Sequence, residues 1–178
     1  GSREAEVTTL RLAAIVESSD DAIIGKTLDG VITSWNRAAE RIFGYAAAEA
    51  IGQPIHIIIP PDRREEEDRI LRQLRNEGHI EHYETLRQKK DGTLIDVSLA
   101  ISPIKDGQGH LIGASKIARD ITREKQAEAE RVRLLQENAA VTEALNNVGA
   151  MVASDLDRTK IVQAVTDAGT ELTTAEFG

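Results

Sequence analysis

Lys90-Asp91-Gly92-Thr93-Leu94-Ile95-Asp96-Val97-Ser98-Leu99-Ala100-Ile101 sets a turn signal against the most regular alternation in the chain. Asp-Gly tolerates positive φ at both residues, as tight hairpins require. After the turn, Ile95, Val97, Leu99 and Ile101 share one face of an extended strand, and Leu94, Asp96, Ser98 and Ala100 share the other. One face is therefore apolar and needs a cover. The strand is expected over 93–104, with 80–88 as its antiparallel partner across the turn. Downstream, Asp106-Gly107 leads into a strand over 110–118. Upstream, Asp29-Gly30 joins 22–27 to 31–35 in the same way. Five strands in three hairpin-like steps result.

The cover comes from the middle of the chain. Asn36 is a good N-cap for a helix carrying Ala38, Ala39, Ile42 and Phe43, and Gly44 suits its C-terminal end. A short helix is expected over 47–51, and a longer one over 61–76 that ends at Gly78. Glu65, Glu66, Glu67 and Asp68 lie early in that longer helix, where its dipole favours acids, and they read as a solvated face. A further apolar helix is expected over 10–16. Helices on one face of an antiparallel sheet make an α+β domain.

From Asp120 the composition changes. Residues 121–153 hold no proline and a single glycine, Gly149. Leu134, Asn138, Val141, Leu145, Val148 and Val152 are spaced 4, 3, 4, 3, 4, a heptad seam in which Asn138 can fix register. The pattern predicts a homodimer through this helix. Ile161, Val162, Val165, Ala168 and Leu172 form another helical pattern, after which a strand is expected to begin near 173–178.

Taken together, several short motifs resemble the PAS domain. They run from Ile15-Val16-Glu17-Ser18 through Asp20-Asp21-Ala22-Ile23-Ile24, Asp29-Gly30-Val31-Ile32, Trp35-Asn36 and Phe43-Gly44-Tyr45. They continue in Ile51-Gly52, Lys90-Asp91-Gly92, Ser102-Pro103-Ile104 and Arg119-Asp120-Ile121-Thr122. The pattern is similar to PAS modules of bacterial multidomain sensor histidine kinases. It implies a PAS fold, five antiparallel strands with helices on one face, over residues 8–122, followed by a signalling coiled coil over 123–153. Residues 154–178 resemble the start of a GAF domain. Residues 1–7 are read as tag and leader, with Gly1-Ser2 as a cloning remnant. Ala46 departs from the family, which often has Ser or Thr capping the short helix there.

The resemblance implies a sensory or regulatory role, with a kinase or other output domain downstream and a cytoplasmic location. It also implies that Asp120 pairs with a basic group while Thr122 caps the exit helix, the two acting as signal-relay residues. No catalytic, cofactor-binding or metal residue is expected. Residues 121–178 contain no His to accept phosphate, and no glycine-rich phosphate loop occurs. Haem-binding relatives use a His on the long helix, where this chain has Arg63-Arg64-Glu65-Glu66-Glu67-Asp68, so haem is disfavoured. The absence of cysteine excludes a flavin–cysteinyl adduct. A small apolar or carboxylate ligand remains open, as does a core filled by Ile, Leu and Val. His79 and His82 lie three apart and would point to opposite faces of a strand, so a shared metal is not expected. A net charge of −8 argues against nucleic acid and anionic membranes. No apolar run reaches the ~18 residues of a membrane span. Two rival functions stand beside the sensory one: a ligand-free dimerisation spacer, and a haem or flavin receptor.

Overall fold

A computed structural model describes the backbone of residues 1–175 and the side chains of residues 1–170. A helix, α1 (Ser2–Ser18), leads into β1 (Ala22–Thr27) and β2 (Ile32–Trp35). The cover follows as α2 (Arg37–Phe43), α3 (Ala47–Ala50), single turns at Ile55–Ile58 and Pro61–Arg63, and α4 (Glu65–Glu77). The chain then returns through β3 (Ile80–Gln88), β4 (Leu94–Lys105) and β5 (Leu111–Asp120) before α5 (Thr122–Ala175). The sheet order is β2-β1-β5-β4-β3, antiparallel throughout. The first and last strands are thus neighbours near the middle.

The alternation in β4 holds. Ile95, Val97, Leu99 and Ile101 are buried, whereas Leu94 is 52% exposed. They join Ile24, Phe43, Ile55, Ile70 and Leu74 in a largely aliphatic core. Close approach of β1 and β5 depends on Gly113, where a Cβ would run into the Lys26 carbonyl. The third turn departs from expectation. Positive φ falls on Gly109 (84°), while Gly107 is not left-handed, because the Asp106 carboxylate accepts the amides of Gln108 and His110 and closes a longer loop.

Two further expectations are corrected. The helix over 61–76 is a separate turn at Pro61–Arg63 followed by α4. The exit helix continues without a break past 153, and 173–175 are helical where a strand start was expected. Residues 176–178 lie outside the described residues. The missing Ser or Thr at Ala46 is compensated: Glu49 accepts the Ala46 amide at 2.9 Å, and Glu40 accepts that of Ala47 at 2.8 Å.

The chain falls into two units, Gly1–Gln126 and Ala127–Gly178, so the first turn of α5 belongs with the sheet. Among the described residues, no helix is long and apolar enough to cross a membrane.

Candidate functional site

The side of α4 facing the sheet carries charge. Glu66 and Glu67 precede Ile70 and Leu74 by three to eight residues, which puts all four on one helical stripe. All four are buried. This corrects the reading of 65–68 as a solvated face: only Glu65 and Asp68 are exposed. The sheet supplies the partners. Lys26 on β1 follows Ala22 and Ile24 at the inward parity, and Lys116 on β5 lies between Ala114 and Ala118, all buried. Lys26 Nζ donates to Glu67 Oε2 at 2.6 Å, and Lys116 Nζ donates to Glu67 Oε1.

Glu66 forms a second knot. It accepts from Arg87 Nη1 at 3.0 Å, from Arg63 Nη1 at 3.0 Å and from the Thr85 hydroxyl at 2.9 Å. Arg87 also donates from Nη1 to the Leu86 carbonyl at 2.7 Å. Its Nη2 is buried without a partner among the described residues.

A bulge turns Thr85 and Arg87 inward. The β3–β4 register shifts between Ile80 and Tyr83, around His82 at φ 54°. Plain alternation from Ile80 would aim Glu84 and Leu86 at the core; one extra residue exchanges the faces.

Burial would raise the carboxyl of Glu67, but two ammonium neighbours outweigh it and hold the group down at about 2. Burial would likewise raise Glu66, and donation from Thr85, Arg87 and Arg63 brings it below the usual carboxylate range. For Lys116 burial wins: it lowers the ammonium to about 8 despite Glu67, with Lys26 adding repulsion.

The second feature is the exit into α5. Asp120 Oδ1 accepts the Thr122 amide at 3.0 Å and the Thr122 hydroxyl at 2.6 Å. The Thr122 hydroxyl in turn accepts the Asp96 amide at 3.1 Å, and the Ile121 amide donates to the Asp96 carbonyl at 2.9 Å. Asp120 therefore caps the helix, and Thr122 ties its first turn to β4. The base pairing expected of Asp120 is not formed among the described residues. The neighbouring pair Arg119–Asp21, at 3.0 Å, joins the ends of β5 and β1 instead. Lys125 reaches Glu84 of β3 at 2.6 Å.

Along α5, Leu134, Asn138, Val141, Leu145, Val148 and Val152 are all exposed. His56, His79, His82 and His110 are exposed too, so no imidazole lies among the buried residues of the core. Among the described residues, no cluster of His, Cys, Asp and Glu could hold a metal.

A family model described as the PAS fold matches residues 10–121. The chain is similar to the sensor protein FixL of Bradyrhizobium diazoefficiens, 30% identical over 148 residues, 80% of this chain and 28% of that protein. It is similar to the signal transduction histidine-protein kinase AtoS of Escherichia coli, 32% identical over 128 residues, 69% of this chain and 21% of that one. A solved PAS domain from Colwellia psychrerythraea matches with a TM-score of 0.62 at 29% identity, over 65% of this chain and 98% of that one. The chain spans less than a third of the length of either of these two relatives.

Proposed function

The chain belongs to the PAS family, and on that premise we propose that it is a cytoplasmic sensory module of a bacterial sensor histidine kinase, passing its signal to a downstream output domain through paired α5 helices. The observation that carries this is the exposed seam of α5. Leu145 is 67% exposed and Val141 is 58% exposed. Apolar residues repeating at 3.5-residue intervals favour burial against a second helix, and Asn138 within the seam favours a defined register. The relay is the junction Asp120–Thr122, which ties β4 and β5 to the first turn of α5.

Neither haem nor flavin is part of this proposal. At the long helix the chain offers Glu66 and Glu67, each saturated by cations, where haem iron needs imidazole. No cysteine is present for a flavin adduct.

Light scattering tests the pairing. The chain should have twice its monomer mass, and Leu145→Asp should halve it without disturbing the sheet. A monomeric wild-type chain at micromolar concentration would remove the paired-helix relay.

A further inference from the structure

We propose that Ser102, on the outer face of the sheet, is a modification site: a nucleophile that takes an acyl group from small thioesters, with His79 as its general base and Glu81 positioning the imidazole. The inference goes beyond the sensory reading and does not depend on it.

The strand register brings the three residues together. Ile80 of β3 pairs with Ile101 of β4, and both are buried. Their neighbours turn outward, which sets His79 opposite Ser102 on the face away from α4. His79 Nδ1 lies 3.0 Å from Ser102 Oγ, and its Nε2 lies 3.0 Å from Glu81 Oε1.

These contacts fix where the protons sit. The hydrogen bond to His79 holds Glu81 below the usual carboxylate range, and a carboxylate accepts but cannot donate. Nε2 must then carry the ring proton, which leaves Nδ1 of the neutral imidazole bare. A bare ring nitrogen only accepts, so the Ser102 hydroxyl donates to it. A hydroxyl donating to a base that a third group orients is an activated nucleophile.

The site is open to a reagent. His79 and Glu81 are exposed and Ser102 is half-buried. Glu81 also lines a cleft of about 180 Å³, together with Ala100, Ile117, Asp21 and Arg119. Ala100 precedes Ser102 by two residues on the same face, roughly 6.6 Å along the strand, which puts apolar surface within reach of a short acyl chain. Two carboxylates against one guanidinium disfavour an acyl phosphate, whereas a neutral thioester meets no such barrier.

In the step itself, Ser102 Oγ bonds to the thioester carbonyl carbon as its proton passes to His79 Nδ1. The C–S bond then breaks, and the departing sulfur takes that proton and leaves as a thiol. β4 lies between β3 and β5, so its amides are largely committed to the ladders and few remain to hold an oxyanion. The acyl group consequently stays on Ser102, and the site records exposure to acyl donors without turning them over.

The test incubates the whole chain with the acetyl thioester of N-acetylcysteamine in mildly alkaline buffer, followed by peptide mass mapping. Hydroxylamine cleaves an acetyl ester on serine and spares an acetyl amide on lysine, so treated and untreated digests separate the two. Ser102 should carry the labile ester, Ser98 on the same face of β4 should not, and Ser102→Ala should lose it. His79→Gln should slow labelling at least about 100-fold. Nitrogen NMR should find the His79 ring proton on Nε2. Glu81→Leu should remove that bias and slow labelling while leaving the urea midpoint unchanged. No ester at Ser102, equal ester at Ser98, an unchanged labelling rate in His79→Gln or Glu81→Leu, or a wild-type ring protonated at Nδ1 would overturn the proposal.

Discussion

Asn36 commits its whole side chain to backbone groups. Its Oδ1 accepts the amides of Ala39 and Ile23 at 3.0 and 2.9 Å, and its Nδ2 donates to the carbonyls of Val16 and Asp21 at 2.8 and 3.1 Å. One residue thus caps α2, holds the start of β1 and anchors the end of α1. Asn36→Ala removes a cap and leaves buried partners unmet, which together cost about 3 kcal/mol. Urea unfolding would measure this, and a loss below about 1 kcal/mol would show that water replaces the amide. The cap was legible in the sequence, since Asn before an apolar helical pattern is a strong signal. The other three bonds were not, because they join segments up to 20 residues apart that only the fold brings together.

Among the elements, α4 is the one whose character changed between sequence and structure. The stripe through Glu66, Glu67, Ile70 and Leu74 could have been read from helical spacing, yet four acids in a row at a helix start suggested solvent. The missing signal lay elsewhere, in Lys26 and Lys116 at inward positions of their strands. By contrast β4 was legible throughout, since nothing interrupts its period of two. β3 hid its inward residues behind the bulge at His82, which no turn residue announces. Glu67→Gln would leave two buried ammonium groups facing a neutral amide, a loss of about 3–5 kcal/mol measurable by urea unfolding; a loss under about 1 kcal/mol would mean that solvent reaches the lysines.

The pH dependence of the same element follows from its two shifted groups. Glu67 sits at about 2 in the fold against an ordinary 4.5, so its stabilisation is complete above 4.5 and is lost as pH falls toward 2. Lys116 acts in the opposite sense. Its ammonium is disfavoured by folding, so stability from this group rises between about pH 8 and 10.5. Urea midpoints across both windows should fall on the acid side and rise on the alkaline side, and in Glu67→Gln the part of the acid slope due to Glu67 should vanish. A wild-type midpoint flat from pH 5 to 2 would contradict the cluster.

At the scale of the whole molecule, the proposed relay makes output depend on the junction between the sheet and α5. Asp120→Ala removes the cap on the first turn and the acceptor for the Thr122 hydroxyl, while the Ile121–Asp96 backbone bond persists. Placed ahead of an output domain, this variant should keep basal output and lose its response to stimulus; an undiminished response would remove Asp120 from the relay. The placement of β1 beside β5 also bears on how such chains are assembled. Ala22 pairs with Ala118 and Asp21 holds Arg119, so the polypeptide enters and leaves the sheet at one spot. The domain is a closed loop hung on a single point of the chain. A copy can be inserted or excised there with little change in the span between whatever segments flank it, which suits it to be shuffled as a cassette and strung in tandem.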